Sequence, residues 1–149
     1  MVIYPDTSFL FSLYVDEEPT PVAQEYAANL MGPLAFTPFH RLELRTSLRL
    51  RAVRKQLTRD ELQVALRLSD KDVVDDILHH TPLNWSDTLR EAERLGEAHL
   101  TETGVRSGDL LHVASAVVLG AQEFVTFDQR QSKLARRAGL KVKAWKSVK

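Results

Sequence analysis

The sequence predicts an α/β protein in which helices cover both faces of a short-stranded parallel central sheet. Short apolar, β-prone segments alternate with longer stretches of helical periodicity along the chain. Two of those segments, Val2-Ile3-Tyr4 and Glu123-Phe124-Val125-Thr126-Phe127, each lead to an aspartate and then a helix. With 149 residues, 44% hydrophobic and 27% charged, the composition is that of one ordinary globular domain, 1–149, without repeat or linker.

Taken in order, Val2-Ile3-Tyr4 reads as a buried strand. Pro5 cannot donate a ladder hydrogen bond, so the strand is expected to stop at Tyr4. Asp6-Thr7 opens an apolar helical run from Ser8 to Tyr14. Pro19 and Pro21 bracket the next helix start, and Val22, Tyr26 and Leu30 keep helical spacing to about Met31. Leu34-Ala35-Phe36-Thr37 is a second short strand, after which Pro38 begins a long helix through about Lys55. Thr58-Arg59-Asp60-Glu61 has the form of a capping box and opens a helix to at least Ser69.

A further helix is expected over Lys71 to His79, then a strand or extended link at Leu83-Asn84-Trp85. Ser86 is the expected cap of a helix that ends near Gly104. Ser107 caps the helix Gly108 to Leu119, which Gly120 closes. Glu123 to Phe127 is a strand, the helix Gln131 to Ala138 ends at Gly139, and Leu140 to Trp145 alternates like a half-exposed final strand.

No cysteine is present, which excludes disulfides, thiolate zinc sites and cysteine nucleophiles. The N-terminus lacks the pattern of a signal peptide, and the longest apolar run, Val113 to Ala121, is far too short to cross a bilayer. A soluble cytoplasmic protein without membrane contact is the expectation. Formal net charge is zero, but unevenly spread. Arg41, Arg45, Arg49, Arg51, Arg54, Lys55 and Arg59 face the single acid Glu43 in their stretch, whereas Asp70, Asp72, Asp75 and Asp76 make the next one acidic.

The most informative feature is where the acids fall. Open parallel sheets bind ligands at the carboxyl ends of their strands, and Asp6 and Asp128 each follow a strand at that edge. Asp109 lies in the first turn of its helix, where free amides and the helix dipole favour an ionised carboxylate. Glu43 sits near the start of the long basic helix. Such carboxylates repel one another, and a divalent cation removes the conflict. Each acid has a blander role open to it: Asp6 and Asp128 as helix caps, Asp109 as a partner of the dipole, Glu43 in a surface ion pair. Four independent bland roles need not converge, and their joint placement favours a metal-assisted hydrolytic site.

At these residues the sequence resembles the PIN-domain family, and especially the VapC-like ribonuclease toxins of type II toxin–antitoxin systems. The motifs are Asp6-Thr7-Ser8-Phe9-Leu10, Leu42-Glu43-Leu44-Arg45, Gly108-Asp109-Leu110-Leu111-His112-Val113-Ala114 and Val125-Thr126-Phe127-Asp128, in the family's order and covering almost the whole chain. The resemblance implies a PIN-like, Rossmann-like α/β/α sandwich and metal-dependent phosphodiester hydrolysis, usually of RNA. It implies Mg²⁺ or Mn²⁺ bound at Asp6 and Asp109, with Glu43 and Asp128 completing the acidic pocket. Thr7, Ser8 and Thr126 would support the acids by hydrogen bonds. A homodimer and a cognate antitoxin are implied as partners. Pro5 departs from the family's usual apolar residue before the first aspartate.

Arg51, Arg54 and His112 are candidate RNA contacts, the arginines on the long basic helix and His112 one turn beyond Asp109. The competing roles are a solvated basic face and a hydrogen-bonded packing histidine. A DNA-directed nuclease and a non-catalytic PIN-like binding or regulatory module are the alternative functions. An aspartyl-nucleophile phosphatase ranks last, because Ser8 stands where its second aspartate would be.

Overall fold

The computed structural model describes residues 1–145, which form five strands and seven helices. In chain order these are β1 (Ile3–Pro5), α1 (Thr7–Tyr14), α2 (Thr20–Ala28), β2 (Leu34–Phe36), α3 (Pro38–Val53), α4 (Arg59–Val74), β3 (Leu78–His80), α5 (Trp85–Thr103), α6 (Ser107–Val118), β4 (Glu123–Thr126), α7 (Gln129–Arg137) and β5 (Val142–Ala144). Two compact units result, one of Met1–Asp6 with residues 82 onward, the other of Thr7–Thr81. No helix among the described residues is long and apolar enough to cross a membrane.

In the first unit the strands pair in parallel in the order β1-β4-β5, with Tyr4 opposite Phe124 and Phe124 opposite Val142. Pro5 belongs to β1, opposite Val125, so the strand runs one residue past the expected stop. Proline has no amide to give, but the next amide, that of Asp6, donates to the Val125 carbonyl at 2.9 Å and carries the ladder on. Tyr4, Leu95, Val113, Phe124 and Leu134 are wholly buried. Gly96 lets α5 lie close to α6, since a Cβ there would stand 3.3 Å from Leu110 Cδ1.

The second unit pairs β2 and β3 in parallel, Leu34 opposite Leu78, and buries Phe9, Leu10, Leu44 and Leu48 from α1 and α3. Tyr14 of α1 donates to Asp72 of α4 at 2.6 Å. Burial, reinforced by that carboxylate, pushes the phenol well above its usual range and keeps it a donor. Thr58 caps α4 with the reciprocal Glu61 bond that its sequence announces. Thr37 caps α3 in the same reciprocal way, with His40 Nδ1 accepting from the Thr37 amide at 2.9 Å where a Glu carboxylate is usual.

The structure corrects the reading between residues 69 and 86. A single helix, α4, runs through Ser69 and Lys71 to Val74, and the residues expected to finish a further helix at His79 instead form β3. Of the two alternatives at Leu83-Asn84-Trp85, the link fits Leu83 and the extended Asn84, while Trp85 is already helical; Asn84 accepts from the Asp87 amide and starts α5 two residues before the expected Ser86 cap. Arg106 rather than Ser107 is the N-cap of α6, and α7 begins at Gln129 with Asp128 as its cap.

Helix ends explain the largest of these differences. α6 and α7 stop with Gly120 and Gly139 at positive φ, each followed by an amide that reaches back over the last turn. α3 and α4 end in the same hydrogen-bond pattern, Gln56 to Arg51 and Ile77 to Asp72, but with Lys55 (φ 59°) and Asp76 (φ 57°) in the left-handed position. A side chain there opposes the backbone, by roughly 1–2 kcal/mol. Lys55→Gly should therefore stabilise the protein by about 0.5–1 kcal/mol, net of glycine's greater freedom when unfolded. Urea unfolding would read this as a raised midpoint at unchanged slope, and a lowered midpoint would contradict it.

Candidate active site

Asp6 emerges from the carboxyl end of β1 with no solvent exposure. The β1–β4 register that sets Pro5 against Val125 brings Thr126, the last residue of β4, level with Asp6. The Thr126 hydroxyl donates to Asp6 Oδ2 at 2.5 Å, and the Gln131 Nε2 amide donates to the same oxygen at 3.0 Å. The Thr126 hydroxyl oxygen in turn accepts from the Asp128 amide at 2.8 Å. Asp6 and Asp128 are thus linked through one hydroxyl at neighbouring strand ends.

Asp128 is half-buried and caps α7: its Oδ1 accepts from the amides of Arg130 and Gln131 at 2.8 and 3.1 Å. The cap engages one oxygen of the carboxylate, because both amide bonds fall on Oδ1. Asp109, also half-buried, stands in the first turn of α6, where its Oδ2 accepts from the Arg106 amide at 3.0 Å.

His112, one turn further along α6, is 2% exposed and its Nδ1 lies 2.8 Å from the Tyr4 hydroxyl. Tyr4 is buried too, and its ring stacks on Phe124 at 5.7 Å between centroids. This places His112 in the core and not at a surface that a polynucleotide reaches. Its work is geometric: it ties α6, which carries Asp109, to β1, the strand that leads into Asp6.

In the second unit Glu43 is half-buried on α3, and its Oε1 accepts from the Thr7 hydroxyl at 2.7 Å. Thr7 is the residue immediately after Asp6. Ser8 is exposed. Arg51 is engaged within its own unit, 3.3 Å from Glu17 and with its guanidinium 4.6 Å over the Phe11 ring. Arg54, the C-cap of α3, is exposed.

Among the described residues no group of three or more His, Asp or Glu side chains stands ready as a metal cage. The donor chemistry still fits a small hard cation, because Mg²⁺ commonly takes only one or two carboxylates and keeps several waters. A further observation agrees: Gln131 Oε1, on the residue that donates to Asp6, is buried without a hydrogen-bond partner. The sequence reading passed over Gln131. Its signal was a polar residue spaced with Leu134 and Ala135 on the buried face of α7.

The PIN domain family model matches residues 3–137, and the chain belongs to that family. Similar solved structures include VapC20 from Mycobacterium tuberculosis, described as a toxin that cleaves the sarcin–ricin loop, at TM-score 0.66 and 17% identity over 88% of this chain and 93% of that one. VapBC2 from Rickettsia felis, bound to a DNA fragment from its promoter, matches at TM-score 0.65 and 17% identity over 98% and 100%. VapBC-5 from Mycobacterium tuberculosis, of the VapBC family of toxin–antitoxin systems, matches at TM-score 0.57 and 22% identity over 96% of each. At these identities the likeness is one of fold, the PIN fold. A comparison with curated proteins gives no match.

If the Tyr4 hydroxyl anchors α6, Tyr4→Phe removes the buried hydroxyl that meets His112 Nδ1 at nearly unchanged volume. The expected loss of stability is about 1–3 kcal/mol, read by chemical denaturation. A variant as stable as the parent would show that this bond does not hold the helix.

Proposed function

We propose that this chain is a metal-dependent endoribonuclease that hydrolyses RNA phosphodiester bonds as the toxin of a toxin–antitoxin pair. The observation that carries the reading is Asp6: a fully buried carboxylate at a strand end, its Oδ2 held by Thr126 and Gln131. Membership of the PIN family supports it, as does a fold shared with a toxin that cleaves the sarcin–ricin loop. In this reading Asp6 and Asp109 hold Mg²⁺ or Mn²⁺, and Glu43 and Asp128 complete the acidic set.

A divalent cation bound there supplies Lewis-acid polarisation of a phosphoryl oxygen and lowers the pKa of a water. The chain's own residues orient the rest. Thr126 and Gln131 fix the Asp6 carboxylate, and the amides of Arg130 and Gln131 fix Asp128 by one oxygen. Thr7 donates to Glu43 Oε1 and so fixes that carboxylate on α3. With the cation bound, a water would attack phosphorus as the bond to the leaving ribose oxygen breaks, its proton passing to solvent and the leaving oxygen taking one from solvent.

Arg54, exposed at the end of α3, is the cation we assign to a substrate phosphate; Arg51 and His112 already have partners inside the fold. An antitoxin chain belongs to the same reading, supported by the toxin–antitoxin origin of a structural neighbour; a homodimer is part of the reading as well. The test is cleavage of varied RNAs by purified, antitoxin-free protein with Mn²⁺ or Mg²⁺, beside Asp6→Asn and an EDTA control. Both controls should lose activity by more than the roughly 10- to 100-fold typical of losing a ligand's supporting partner. Cleavage by Asp6→Asn at the parent's rate, or undiminished in EDTA, would overturn the mechanism.

A further inference from the structure

We infer that Gln131 is a positioning residue of the cation site, clamping Asp6 through its amide nitrogen and presenting its buried carbonyl oxygen to the hydrated cation. The inference rests on the metal-dependent reading and names a residue that reading did not require. Its first support is the direction of the amide. With Nε2 at 3.0 Å from Asp6 Oδ2, the group donates to the carboxylate. Turned over, it would set a carbonyl oxygen against a carboxylate oxygen, two acceptors with no hydrogen between them. Chemistry therefore fixes which end faces Asp6, and Oε1 is the end left over.

That oxygen is the second support. Gln131 is 5% exposed, and Oε1 has no hydrogen-bond donor. Buried carbonyl oxygens are nearly always met by a donor, and an exception asks for a reason. A hydrocarbon side chain on the same face of α7, beside Leu134 and Ala135, would carry no such oxygen. Hydrated Mg²⁺ or Mn²⁺ supplies what the site lacks, since its waters donate hydrogen bonds and the ion itself accepts oxygen ligands.

The third support is connectivity. The Gln131 backbone amide donates to Asp128 Oδ1 at 3.1 Å while its side chain donates to Asp6. One residue thus fixes both strand-end acids, and Thr126 joins the same two residues from the strand side. Asp6 Oδ2 is committed to these two donors, which sets the plane of its carboxylate before any cation arrives.

The experiment is Mn²⁺ titration by calorimetry of the full chain and of Gln131→Met, which keeps the volume and apolar stem but has no donor and no carbonyl oxygen. Thermal unfolding of both is measured without metal. The expected result is Mn²⁺ affinity weaker by about 10-fold or more, in a variant that still unfolds in one cooperative transition without metal, at a melting temperature equal to the parent's or lowered by the donor that Asp6 loses. Equal affinity in parent and variant would overturn the role of Gln131 and leave the metal reading standing. A parent that binds no Mn²⁺ would overturn both. Should Gln131→Met not fold, Gln131→Glu decides: a second carboxylate against Asp6 should lower the metal-free melting temperature and enlarge the rise that Mn²⁺ produces, and an unchanged rise would refute the inference.

Discussion

A carboxylate shut away from water needs donors or a cation to replace its lost hydration, and Asp6, with no exposed surface, is such a carboxylate. The ends of β1 and β4 are arranged around that need. Parallel pairing with Pro5 opposite Val125 puts Thr126 beside Asp6, and Thr126 then supplies the hydroxyl. A slip of one residue would turn the Thr126 side chain to the other face of the sheet and remove the donor. Strand register, which the apolar residues of β1 and β4 specify through the core, thereby fixes the polar site at their ends.

The same strand carries a second constraint in the other direction. Tyr4 lies two residues before Asp6, buried between Phe124 and His112, and His112 lies three residues after Asp109. A single buried hydrogen bond therefore relates the backbone that presents one acid to the helix that presents another. Such a contact gives the pair of acids a defined separation without either acid being part of the restraint, and it accounts for an otherwise costly pairing of polar rings inside the core.

How much of this was legible in the sequence depended on whether the signal was local. That Asp6 and Asp128 lie at the ends of strands was legible because each follows a short apolar segment. Thr58 and Glu61 announced a helix start in their residue types alone. β3 was missed because the chain leaves α4 through a left-handed Asp76, with no glycine to mark the end, whereas Gly120 and Gly139 marked the ends of α6 and α7. Gln131 was missed because its meaning lies in a contact with Asp6, 125 residues away. The partners of Arg51, Glu17 and Phe11, were not legible either, because they are likewise remote in sequence. Periodicity reports which face of a helix is buried, but not what the polar residue on that face meets.

The central claim is that Asp6 anchors a divalent cation, and anomalous diffraction from a crystal of the protein soaked in Mn²⁺ tests it most directly. The account predicts an anomalous peak at about 2.1 Å, the ligand distance of a small hard cation, from an Asp6 carboxylate oxygen. A fully ordered Asp6 with no peak beside it, or a peak confined to other acids, would contradict the account.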